Sequence, residues 1–272
     1  STKEGAKAYQ VAVNLNGNWQ PAKTGVLPEA VNEALSGSVA WDGKVGIDLP
    51  YHAGATYNIE LNGDLKNVSS HLPSPLAKPA GEPLAVNVKV DGNLNSFELT
   101  GQAGADNHFN SRWLLGQKLT LDRAIWAADS KTLPPLPEQS GVELNMPPMN
   151  GAEWLALFQK GAAESVGGAA SFPQHITLRT PMLSLGNQQW NNLSIVSQPT
   201  ANGTLVEAQG RESNATLAMR NNAPWLANIK YLYYNPSVAK TRGDSTPSSP
   251  FPTTERINFR GWPDAQIRCT EC

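Results

Sequence analysis

Four histidines and one pair of cysteines are the side chains best suited to nucleophilic, metal or acid–base chemistry, and their spacing offers little of it. His52, His71, His108 and His175 stand far apart in the chain. None has a second histidine or a paired carboxylate within helical or strand reach, as a ligand set would need. Cys269 and Cys272 form a C-x-x-C. Two thiolates make half of a tetrahedral zinc site, and a redox C-x-x-C opens a helix in a βαβ unit. This pair instead follows the strand-like Ala265-Gln266-Ile267-Arg268. No G-x-S-x-G, H-E-x-x-H or phosphate-binding loop occurs, so the usual nucleophile, zinc and nucleotide motifs are missing. Gly101-Gln102-Ala103-Gly104 follows a strand pattern, but no helix pattern opens behind it as a dinucleotide site requires. Asp42, Asp64 and Asp91 sit beside expected turns, which explains them without catalysis. The expectation is a protein that is not an enzyme, with no catalytic residue, no metal and no cofactor. A carboxylate pair that meets only in three dimensions would escape this reading.

Aromatic residues are the other candidates. There are eight tryptophans. Trp19, Trp41, Trp113 and Trp190 fall in strand patterns, mostly in phase with the apolar residues. As core packing they need no function; on an open surface they would line an apolar cavity or form a sugar platform.

The elements that must position these residues follow from composition and period. The chain has 272 residues, with 21 basic against 23 acidic side chains and only 16% charged residues. Such a balance offers no electrostatic footprint for nucleic acid. Gly (23) and Pro (21) are abundant and favour turns. No run of apolar residues is long enough for a membrane helix. The N-terminus carries no signal-peptide pattern, and both ends look cut, which reads as a segment of a longer protein.

Strict apolar alternation dominates. Val11, Val13 and Leu15 alternate, then Val39 and Trp41, with Asp42-Gly43 read as a hairpin turn. Val45, Ile47 and Leu49 follow, then Tyr57, Ile59 and Leu61 up to Asn62-Gly63. Val86, Val88 and Val90 run to Asp91-Gly92, Phe97 and Leu99 return, and Trp113 and Leu115 reach Gly116. Leu183 and Leu185, and later Leu217, carry the same pattern. Counting such runs gives about 14 to 18 strands joined by short turns. One face of each is apolar and the other is Asn, Thr, Ser, Lys and Glu, as in a sheet with one face hidden and one wet. The expected fold is mainly all-β: an open, strongly twisted antiparallel sheet bent into a hydrophobic groove that the apolar residues just named would line.

Two helices interrupt the pattern. One is expected over Leu27–Leu35, with Pro28 early and Gly37 as its stop. The second runs over 150–166: Asn150 caps it, Glu153 stands three residues on, and Trp154, Leu155, Leu157 and Phe158 form an apolar face that must lie on the groove. The Pro-, Ser- and Thr-rich stretch 235–254 reads as a mobile loop. Residues 1–272 are otherwise taken as one continuous β-groove segment.

Three stretches carry a resemblance: "LPEAVNEALSGSVAWDGKVGIDLPY", "ELNGDLKNVSSHLPSPLAKPAGEPL" and "LTGQAGADNHFNSRWLLGQKLTLDRAIW". With them the chain resembles the AsmA-like family of Gram-negative envelope proteins, in particular the central region of a very long member, over essentially its whole length. The resemblance implies a periplasmic β-groove of the bridge-like lipid-transfer type. It also implies a full-length protein anchored in the inner membrane by an N-terminal helix, and phospholipid passing between inner and outer membranes. The implied partners are phospholipid acyl chains, and both membranes through parts of the protein outside this segment, with no nucleic acid. A structural periplasmic spacer or assembly factor, and an envelope enzyme acting on glycans, are the competing readings.

Overall fold

Alternation becomes strand along most of the chain. The structure, a computed structural model, describes residues 9–23, 29–161, 170–234 and 265–269. The N-terminal half contains β1 (Tyr9–Trp19), β2 (Leu35–Gly37), β3 (Val39–Leu49), β4 (Thr56–Asp64), β5 (Val68–Ser70), β6 (Ala85–Asn93), β7 (Ser96–Ala103), β8 (Asn107–Leu115) and β9 (Leu119–Ala127). Beyond it come β10 (Gly141–Asn145), β11 (Met149–Asn150), β12 (Ala170–Ser171), β13 (Ile176–Leu185), β14 (Gln188–Thr200), β15 (Gly203–Gln209), β16 (Ser213–Arg220), β17 (Trp225–Leu232) and β18 (Ala265–Cys269). The helices are α1 (Glu29–Ala34) and α2 (Gly151–Gly161). The remainder of the helix expected to Val166 and the expected loop over 235–254 lie outside the described residues. None of the described helices is long and apolar enough to cross a membrane.

Apart from the small β2–β5 ribbon, the strands form one 16-stranded sheet whose path runs from β1 through β3, β4, β6, β7, β8, β9, β10, β13, β14, β15, β16 and β17 to β18. β1 and β18 do not pair with each other, so the sheet is open and not a barrel. It departs from expectation in being mixed: β10 runs parallel to both β9 and β13, and β18 parallel to β17. The alternation in these strands is the same whichever way a neighbour runs, so the sequence pattern carried no sign of the difference. Two crossovers cause it in the middle of the sheet. Residues 128–140 return the chain from the end of β9 to the start of β10, and residues 146–175 return it to β13.

A second departure concerns glycine. Asp42-Gly43 lies inside β3, Asn62-Gly63 inside β4 and Asp91-Gly92 inside β6, so none of these pairs is a turn. The real connections fall at 50–55, 71–84 and 94–95. Gly43 is in the strand because its neighbours fill the space above it: a Cβ there would stand 2.5 Å from Leu61 Cδ2 and 3.1 Å from the Glu60 carbonyl oxygen. Gly17 is covered likewise by the Trp41 indole, 2.7 Å from where its Cβ would be. These glycines admit large side chains across the strand rather than reversing the chain. Of the acidic residues expected at turns, Asp64 alone holds backbone: its Oδ1 accepts from Lys66 N and Leu84 N, both at 2.9 Å.

The sheet has two different margins. Along one lie Trp19, Val39, Asp64, Ala103 and Ala127, and there α1, the β2–β5 ribbon and the 71–84 connection form a cap around buried Ala30, Val39, Val68 and Leu72. Helix α1 stops at Ala34 because Leu35 enters β2 instead of extending the helix. Along the other margin the hairpins turn with no such cover. The main buried core lies mid-sheet and contains Leu121, Ala124, Ile125, Ala127, Ala128, Met146, Met149 and Leu193.

Candidate functional site

Residues directly opposite one another in a sheet share a face, so the registers show how far the apolar face extends. One row begins Leu15, Gly43, Leu61, Val88, Gly101, Phe109. It continues Trp126, Leu144, Leu178, Ile195 and on through Ala208 and Ala215 to Ile229. Every member is apolar or glycine. At roughly 4.8 Å per strand step, the row covers on the order of 60 Å across the sheet. A neighbouring row runs Val13, Val45, Ile59, Val90, Leu99, Ser111 and reaches Leu217 through Ala124, Val142, Ile176, Ser197 and Val206. Ser111 and the half-buried Ser197 interrupt it, Ser111 without exposing a polar group. This fully buried hydroxyl donates to Leu99 O at 2.9 Å and accepts the Trp113 indole N–H at 3.0 Å.

The opposite face is polar over the same strands. Asn14, Lys44, Glu60, Lys89 and Thr100 lie opposite one another, and Asn87 Nδ2 donates to Glu60 Oε1 and Asn62 Oδ1.

On β1, β3, β4, β6, β7 and β8 the residues named from the sequence occupy the apolar face together. Val11, Ile47, Tyr57, Phe97 and Trp113 form one line with Gly92 between Tyr57 and Phe97, Val86 sits opposite Gly63, and Leu49 and Leu115 lie at the uncapped margin. Among all the residues so named, Val39 alone is buried. Trp41, Val45, Ile47, Ile59, Leu61, Val88, Val90 and Leu99 are half-buried, and Val11, Val13 and Leu15 keep 43–45% of their surface exposed. Side chains packed against a second layer would be sealed; these are not. Leu183 and Leu185 are placed differently. Pairing of β13 with β14 lapses at Pro181 and Asn192, the latter at φ 50°, and Leu183 beyond it packs against Met149, opposite it on β11.

Two parts of the face were missed in the sequence. Phe109, Leu144, Leu178 and Ile195 belong to strands the alternation detected, but nothing in the pattern tied their phase to that of β3–β7. Trp126 was hidden by a β-bulge. The register shifts between Arg112 and Trp113, so Leu119 and Leu121 share a face with Ala124 and Trp126 despite the odd spacing. An added residue in one strand reverses its phase, and only the pairing reveals it.

The middle of the face is covered. Asn150 Oδ1 accepts from Ala152 N and Glu153 N at 3.1 and 3.5 Å, capping α2. Trp154 packs with Trp126, Leu144, Leu178 and Leu183 around buried Ala128, Met146 and Met149, and its indole N–H donates to Ser74 O at 2.9 Å. Leu157 is half-buried, whereas Leu155 is exposed; the side chain of Phe158 lies outside the described residues.

Among the described residues no group of three or more His, Cys, Asp or Glu could hold a metal. A hollow on the polar side brings Glu138, Glu143 and His175 together, but Glu143 is paired with Arg179 at 3.5 Å.

The family model described as YhdP protein matches residues 1–272. The chain belongs to the YhdP family. The match spans the open face of β1–β8, the covered middle and the strands beyond alike. No solved structure matches the chain.

Proposed function

We propose that the apolar face is a groove that conducts phospholipid acyl chains, and that this YhdP-family segment works in lipid transfer between the inner and outer membranes of a Gram-negative envelope. The observation that supports it best is the unbroken apolar row from Leu15 to Ile229, in which Leu15 is exposed and Leu61 and Val88 are half-buried. Keeping such a surface unsealed is costly in water, at roughly 25 cal/mol per Å², and an acyl chain laid along the row removes that cost. The phosphate-bearing end of the lipid stays in water along the open side, so the face needs no charged anchor. A row without a cationic stop also holds lipid loosely enough to pass it on.

Under this reading the protein is periplasmic, is not an enzyme, and meets both membranes through parts of the full-length protein outside this segment, including an N-terminal inner-membrane anchor. The test is mass spectrometry of lipids extracted from the purified chain, released under denaturing conditions. Co-purified phospholipid at near-stoichiometric amounts supports the proposal. Lipid-free protein that also fails to take up phospholipid from vesicles refutes it.

A further inference from the structure

Helix α2 lies across the apolar face rather than beside it. It leaves β11, where Asn150 pairs with Ser184 near the C-terminal end of β13. The chain rejoins the sheet at β12, where Ala170 pairs with Leu119 at the uncapped margin. Both ends of this excursion are on the apolar side: Trp154 packs in the group containing Trp126, Leu144 and Leu178, and Phe172 meets Trp113 edge-on at 6.3 Å. Trp126, Leu144 and Leu178 are consecutive members of the apolar row. An acyl chain following that row therefore reaches the surface that Trp154 already occupies.

The helix packs on β13 and α1, Leu155 and Ala156 face solvent, and a hydrogen bond from the Trp154 indole to Ser74 ties it to the cap. Ser74 belongs to the connection between β4 and β6, whereas α2 hangs from β13, five strand steps further along the sheet from β6. One indole thus does two things: its ring fills the row and its N–H fastens the helix to the opposite anchor.

We infer that α2 is a displaceable plug: Trp154 competes with acyl chains for the Trp126–Leu144–Leu178 surface, and its hydrogen bond to Ser74 sets how readily lipid passes this point. This deepens the groove reading and rests on it. Because a ligand that binds only the open form has its apparent affinity reduced by the closed fraction, loosening the plug tightens binding.

The experiment titrates the purified chain with an NBD-labelled stearate and follows fluorescence. Trp154→Phe keeps a ring and removes only the N–H; losing one neutral hydrogen bond from the closed form should tighten probe binding about five-fold. Trp154→Ala removes the competing ring too and should tighten it about ten-fold or more. Unchanged or weaker binding in both variants, with thermal midpoints near wild type, would overturn the plug. A wild-type measurement covers the case in which the variants unfold. Hydrogen exchange of the α2 amides should rise on loading with the probe while β3–β7 stay protected; steady or increased α2 protection in loaded protein makes the helix a fixed wall and rejects the proposal. A probe that binds wild type but leaves α2 unchanged rejects the plug alone. A probe that binds neither wild type nor variants rejects the groove, and the plug with it.

Discussion

The stretch β1–β8 and the stretch β9–β13 are built from the same alternating strands, yet they bury their side chains differently. In the first, neighbours run antiparallel, connections are short turns at one margin, and the apolar face is left half-buried. In the second, two parallel crossovers take the chain over the sheet on opposite sides. Residues 128–140 pass over the polar side, where Asn110 Nδ2 donates to Pro134 O and Arg123 Nη1 to Pro137 O, flanking buried Ile125. Residues 146–175 bring α2 over the apolar side. Covering both sides turns the same strand pattern into a core. Connection geometry, more than strand composition, decides whether an apolar face stays available.

Introducing a carboxylate on each side of that divide should give the largest contrast. Ile125→Asp buries a charge under the Pro-rich link directly opposite Glu143, and should lower stability by about 4 kcal/mol or more. Val88→Asp, on the open face, can keep its carboxylate wet and should cost about 1 kcal/mol. Urea midpoints of the two variants measure the difference, and equal losses would mean that β1–β8 is as sealed as β9–β13.

Gly43→Val probes the open stretch from the other direction. Its side chain would meet Leu61 and the Glu60 carbonyl, so we expect a loss of roughly 1–3 kcal/mol from overpacking. An unchanged thermal midpoint would show that the strand can shift to make room, and that the face is less ordered than its rows imply. Smaller still, Asn150→Ala removes the cap of α2 and should cost about 1 kcal/mol, read as faster hydrogen exchange over 152–157 with no change in β3–β7.

Much of this contrast was hidden in the sequence. Within a strand the phase is fixed by alternation, so Val86, Val88 and Val90 could be placed on one face at once. The X-Gly pairs misled because a glycine that reverses the chain and one that makes room for Trp41 or Leu61 look alike without the partner strand. Trp126 escaped because a bulge shifted its phase, and the parallel pairs because crossovers leave no trace in local periodicity. The helix cap at Asn150 was legible, since capping is local. The bond from Trp154 to Ser74 spans 80 residues and was not.

A conducting groove requires the apolar row to touch acyl chains. Photo-crosslinking amino acids placed at Val88 and at its neighbour Lys89, on opposite faces of β6, test this most directly in the full-length protein within an intact envelope. We predict phospholipid adducts at Val88 and only background at Lys89. Equal capture at the two positions, or none at Val88, would contradict it.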